Sequence, residues 1–180
     1  MTTTSHTRQG RLGENDIMVC KTDLQGALTY ANDSFVTACG YDENRLIGQR
    51  HNFLRHPEMP RSVFAAIWDR LQSGTETFAV LKNRTSEGQD YWTFAQFSPC
   101  RDTSGMVTGY HTVQRWIGPD AVREVAPLYQ RLRQAELSAG DGDHGLRAGS
   151  NMLERHLEQC QQDYDEFVLA LVLQGEPQFA

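Results

Sequence analysis

The chain has 180 residues, 39% hydrophobic and 22% charged, with a net charge of −6. That length suits one ordinary domain with extra elements, or two very small ones, and is too short for a sensor joined to a kinase, cyclase or chemoreceptor rod. Residues 1–119 hold 12 acidic and 12 basic side chains and residues 120–180 hold 11 and 5, so the whole excess is C-terminal and no nucleic-acid footprint of clustered Lys and Arg is expected.

Residues 1–15 are polar and read as a flexible cap. Ile17–Thr22 and Ala27–Tyr30 read as two strands joined by the turn Asp23-Leu24-Gln25-Gly26, a hairpin. Asn32 stands where a helix cap belongs, ahead of Phe35, Val36 and Ala38, and Gly40 ends that short helix. A second helical turn spans Tyr41–Gly48, and Arg50–Pro60 is irregular. Val63, Phe64, Ile67, Trp68 and Leu71 then recur at helical spacing between Pro60 and Gly74, which predicts an amphipathic helix of three to four turns. Thr75–Arg84, Tyr91–Cys100 and Met106–Ile117 read as a three-stranded antiparallel meander, with Tyr91, Thr93, Ala95 and Phe97 alternating against Trp92, Phe94, Gln96 and Ser98.

The last third is helical. Val122, Val125, Tyr129 and Leu132 mark one helix. After the break at 140–145, Leu153, Leu157, Cys160, Tyr164, Phe167 and Leu171 form a heptad seam of about three heptads, ended by Gly175 and Pro177. Together they predict an αα-hairpin whose seam needs cover from the sheet, a second copy or a partner helix. The class is therefore α+β, with helices on one side of an antiparallel sheet and a helical hairpin after it.

Cys20, Cys39, Cys100 and Cys160 are scattered, without a C-x-x-C pair, as in reduced cytosolic proteins. Residues 1–10 lack a signal peptide's apolar core, and the longest apolar run, Phe167–Leu173, is far below the ~20 residues that cross a bilayer. A cytoplasmic protein without membrane insertion is expected. No nucleophile, base and orienting group are legible together, so no enzyme is predicted. The histidines lack H-x-x-x-H spacing, so no metal site is predicted. Asp141-Gly142-Asp143 is too short for an EF-hand loop. His156 lacks the following Pro of a kinase phosphohistidine.

Over residues 16–117 this order resembles a PAS domain, a sensor fold with a five-stranded antiparallel sheet; residues 118–180 would be the hairpin. Thr22–Gly26 with Tyr30-Ala31-Asn32 resembles the opening hairpin. Gly40-Tyr41 with Leu46-Ile47-Gly48 and Lys82-Asn83-Arg84 with Gly88 and Tyr91-Trp92 resemble later pieces. Gly48–Pro60 is similar to the H-N-x-x-R-H-P-x-M-P stretch of bacterial aerotaxis-receptor PAS domains. Ala126-Pro127-Leu128-Tyr129 resembles the segment after the sensor there. The resemblance implies non-covalent FAD binding and a redox or oxygen signal. It places Asn32, His51, Asn52, Arg55, His56, Trp68, Asn83, Trp92 and Gln96 as cofactor-binding candidates. Glu58 stands where an Asp is usual.

In that reading Trp68 walls the isoalloxazine ring, Asn83 and Gln96 meet its pyrimidine edge, and Arg55 and His56 meet the diphosphate. The local alternatives are plain. Trp68 would be core, Asn32 a helix cap, and Arg55 and His56 pins for the irregular segment. A light-sensing flavin PAS carries N-C-R-F-L-Q, but here the Cys position is His51, so no thiol adduct is expected. A heme sensor would use His51, His56 or His111 as axial ligand. A cofactor-free interaction module working through the acidic helices is the remaining alternative. The expected partners are a second copy of the chain and a signalling protein such as a chemoreceptor or kinase component.

Overall fold

A computed structural model of the chain describes residues 13, 15–140 and 142–174. The expected cap over residues 1–15 lies outside them except for Gly13 and Asn15, as do the expected stops at Gly175 and Pro177. Strands β1 (Ile17–Thr22) and β2 (Leu28–Ala31) form the hairpin. Asp23 Oδ1 shapes its turn by accepting the Gln25 and Ala27 N–H groups, each at 2.9 Å. Gly26 takes φ 79°, and a Cβ there would lie 3.1 Å from the Trp68 ring. Helices α1 (Asp33–Cys39) and α2 (Glu43–Leu46) follow, then a 3-10 turn at His51–Leu54 and helix α3 (Arg61–Gln72). Strands β3 (Thr77–Arg84), β4 (Asp90–Arg101) and β5 (Val107–Trp116) complete an antiparallel sheet of order β2-β1-β5-β4-β3.

The period of two sorts the sheet into faces. Asn83, Tyr91, Thr93, Ala95, Phe97, Tyr110, Thr112 and Gln114 share the inner face, toward α1–α3. Lys82, Trp92, Phe94, Gln96, Ser98 and His111 share the outer face. Met18, Cys20, Leu28, Phe35, Cys39 and Leu46 form a core under the first helices. A larger core joins α3 and the sheet to the C-terminal helices.

Both sheet edges are partly covered. Beside β2, Leu28 exchanges main-chain bonds with Gln49 and Gly48, each 2.8 Å. Beside β3, Arg55 bridges Asn83, and the His56 N–H donates to the Lys82 carbonyl at 3.1 Å.

The C-terminal region corrects the expected two-helix hairpin: it holds three helices, α4 (Pro119–Ser138), α5 (Asp143–Cys160) and α6 (Tyr164–Gln174). The heptad seam is cut between Cys160 and Tyr164. Gln161 turns left-handed with φ 55°, and Asp163 and Glu166 cap α6 reciprocally, side chain to backbone N–H, at 2.9 Å each way. Both halves stay in one core: Leu153 of α5 and Tyr164, Val168, Leu171 and Val172 of α6 are buried with Val125, Leu128, Tyr129 and Leu132 of α4, while Cys160 is exposed. Each fully buried apolar side chain of this kind contributes about 1.5–3 kcal/mol. The sheet and α4 supply the cover that the seam requires.

These helices grip α3 at both ends. Pro60 offers α3 no side-chain cap. The buried Glu136 of α4 replaces one, accepting the Arg61 N–H at 3.1 Å and the Ser62 N–H and hydroxyl at 2.9 Å each. Gly149 of α5 makes room, since a Cβ there would stand 2.8 Å from Glu136 and from Ser62 Oγ. Toward the other end, Asp165 of α6 accepts from Arg70 at 3.0 Å, from the Thr77 hydroxyl at 2.7 Å and from the Phe78 N–H at 3.1 Å.

Candidate functional site

A cavity of about 240 Å3 opens between α3, the β1–β2 turn, the 3-10 turn and the inner face of the sheet. Phe64, Ile67, Trp68 and Leu71 reach it because they recur on one face of α3. Phe97, Tyr110 and Thr112 close it from β4 and β5, and Trp68 meets Tyr110 edge-on at 5.4 Å between centroids. Gly26 lets the hairpin turn lie against the Trp68 ring. Thr22, Leu24, Gln25, Arg50, His51, Asn52 and Gln72 complete the lining.

His51 stands at the inner wall, its ring 6.1 Å from Phe97 and 6.4 Å from Phe35. Burial pushes its imidazole pKa down to about 4, so the ring is neutral at pH 7. Its Nε2 lies 3.5 Å from Nε2 of the buried Gln114, whose Oε1 accepts from the Thr93 hydroxyl at 2.9 Å. With both nitrogens in contact, the amide donates and the imidazole nitrogen accepts. Gln114 is thus a polar group between the sheet and the cavity wall.

Of the nine sequence candidates, the lining holds His51, Asn52 and Trp68. The other six lie elsewhere. Asn32 is the α1 cap: its Oδ1 accepts from Phe35 N at 3.0 Å and Val19 N at 2.9 Å, and its amide donates to the Ile17 carbonyl. Arg55 donates to the Met59 carbonyl at 2.5 Å and lies 5.0 Å over the Phe64 ring. Its Nε is buried without a hydrogen-bond partner among the described residues. Asn83 is buried at the β3 edge and bonds the Tyr91 hydroxyl, whose pKa burial raises.

His56 is 3% exposed in an edge cluster with Glu58, Lys82, Arg84 and Asp90. Its Nδ1 accepts the Glu58 N–H at 3.1 Å, and its Nε2 lies against Arg84 and 3.1 Å from Asp90. Burial, and then the Lys82 charge, lower its pKa. Lys82, 2.6 Å from Glu58, holds that carboxyl below the usual carboxylate range.

Trp92 and Gln96 correct the sequence reading most directly, because the pleat turns both to the outer face. Trp92 stands 6.0 Å from Tyr129 and lines a second cavity, of about 520 Å3, beneath α4. Gln96 donates to Glu76 at 2.9 Å on an exposed surface. The sequence reading missed Arg50, Phe97, Tyr110 and Gln114. Phe97 was separable from Gln96 by the alternation itself, and register across β4–β5 adds Tyr110 and Gln114. Of the formal heme ligands, His51 alone of the three lines the cavity. Cys39 is outside the lining, and burial pushes the Cys20 thiol up to about 12 and raises that of Cys39.

Residues 28–114 match a family model described as the PAS fold. Over 127 residues the chain is 35% identical to the aerotaxis receptor of Escherichia coli (strain K12), an alignment covering 71% of this chain and 25% of the receptor. The light-state structure of the LOV domain of the blue-light photoreceptor Aureochrome1 superposes with a TM-score of 0.56 at 22% identity, covering 64% of this chain and 91% of that one. A light-oxygen-voltage domain studied with a flavin analogue gives 0.55 at 23% identity, covering 64% and 86%. The sheet and its helices are therefore a PAS domain, with sequence homology to the aerotaxis receptor; the likeness to the light-oxygen-voltage structures establishes the fold alone. The chain spans a quarter of the receptor's length.

The lining suits a flavin ring: flat aromatic walls on α3 and β4–β5, and His51, Asn52, Gln25 and Thr112 for its polar edges. At about 240 Å3 the cavity is below the ~300–1,000 Å3 of pockets that enclose a drug-sized ligand, so it takes a ring system and not a whole dinucleotide.

Proposed function

We propose that the chain is a cytoplasmic PAS sensor of the aerotaxis-receptor kind, holding FAD by its ring and reporting redox or oxygen state through α4–α6. The observation that carries this reading is the double role of α3. Its Phe64, Ile67, Trp68 and Leu71 wall the cavity, and its ends are bonded to Glu136 and Asp165 of the C-terminal helices. The homology to the aerotaxis receptor and the aromatic lining of the cavity support this reading.

When bound, the flavin supplies two-electron redox chemistry with a change of charge and protonation. Trp68, Phe64 and Phe97 would hold the ring and exclude water. Neutral His51, held from behind by the Gln114 amide, would present a hydrogen-bonding group to the ring. A change at that wall shifts α3, and Glu136 and Asp165 transmit the shift, since a cap bond holds in one helix position and not another. Gln96 has no part in this route, because its side chain faces away from the cavity. The output is a changed pairing of the C-terminal helices with a second copy of the chain or with a chemoreceptor or kinase component.

The test is the visible spectrum of the purified protein, with and without added FAD, in air and under dithionite. A flavin band that bleaches on reduction supports the reading. No band after reconstitution overturns it in favour of the cofactor-free module, and a Soret band would replace flavin with heme.

A further inference from the structure

We infer that Arg50 receives the phosphate of a phosphorylated flavin at the cavity mouth. The inference rests on the flavin reading and names a contact that the sequence reading gave to Arg55 and His56. Arg50 is the one cationic side chain in the cavity lining, which contains no carboxylate. Arg50 is exposed, and its side chain has no hydrogen-bond or ion-pair partner among the described residues. Its backbone, by contrast, is held: Ala27 and Arg50 form a bridge, the His51 N–H donates to the Gly26 carbonyl at 2.8 Å, and Leu28 N–H donates to the Gln49 carbonyl at 2.8 Å. A rigid main chain with an unengaged cation is suited to a ligand group, because binding breaks no existing ion pair and orders no backbone.

The competing cations are engaged elsewhere. Arg55 is outside the lining, on the Met59 carbonyl and the Phe64 ring. His56 is fixed between the Glu58 N–H and Asp90 at the β3 edge. A cavity sized for a ring system leaves the phosphate outside, among Arg50, Gln25 and Gln72. A guanidinium there pairs bidentately with a phosphate, and at an exposed rim the attraction is screened by salt.

Dissociation constants of riboflavin, FMN and FAD are measured for the wild-type chain, Arg50→Gln and Arg55→Gln at low and high ionic strength. The expected result is a roughly tenfold loss for FMN and FAD in Arg50→Gln, with riboflavin changed less than about twofold. Added salt should erode the wild-type preference for FMN over riboflavin, and Arg55→Gln should keep that preference. Using the FMN-to-riboflavin ratio within each variant removes any general effect on folding. A ratio unchanged by Arg50→Gln, or lost in Arg55→Gln instead, overturns this assignment and leaves the flavin reading standing. A wild-type chain that binds none of the three flavins overturns both.

Discussion

The carboxylate of Glu136, on α4, accepts both the backbone N–H and the hydroxyl of Ser62, each at 2.9 Å, across 74 positions of sequence. Helix α3 thus takes its N-terminal cap from a helix outside the PAS fold. Glu136→Ala would leave the buried Ser62 N–H and hydroxyl without their acceptor, at a cost of about 2–4 kcal/mol. Urea denaturation should show the midpoint falling accordingly. Gly149→Val should mimic it, because its side chain would occupy the carboxylate's place.

Asp165 joins α6 to the β3 edge and to Arg70 through three hydrogen bonds. Asp165→Ala should release α6 locally. The expected sign is faster amide exchange at Phe78 and along α6, with exchange in β1 and β5 changed far less.

The pH dependence follows from His51. Its folded pKa of about 4 lies below the ordinary 6.5, so the unfolded chain binds the proton more readily. Its contribution is therefore fully present above about pH 6.5 and lost as pH falls toward 4. His56 shifts in the same direction. Melting temperature measured from pH 7.5 to 4 should fall, and His51→Phe should flatten that fall over this window. A wild-type slope retained in His51→Phe would contradict the burial of a neutral ring.

Flavin affinity should separate the two sheet faces. Trp68→Leu removes an aromatic wall and should weaken FAD binding at least tenfold by fluorescence titration. Gln96→Ala, on the outer face with Glu76, should leave it within twofold. The reverse pattern would place the ligand on the other side of the sheet.

Much of the fold was legible because it rests on local rules. Alternation set the strands, helical spacing set α3, and Asn32 marked α1. The helical tail was misread where two signals competed. The heptad spacing ran on through Cys160 and Tyr164, while Asp163 and Glu166 already carried the three-residue spacing of a capping box. The site was legible less evenly. His51, Asn52 and Trp68 line the cavity, but Arg55, His56, Trp92 and Gln96 share its sequence neighbourhood without sharing its face. Motif proximity says nothing about which way the pleat turns a side chain, and register between β4 and β5 is needed to bring in Gln114.

The cover on the two sheet edges sets how such a molecule can assemble. A bare edge recruits strands by main-chain pairing and is indifferent to what the newcomer's side chains are. Here β3 is occupied by the Arg55–His56 segment and Asp165, and β2 is four residues long with Leu28 already bonded to Gly48 and Gln49. A second molecule must therefore recognise side chains on a face or a helix. Association is made selective by chemistry, and the chain is guarded against the indiscriminate stacking that leads to fibres.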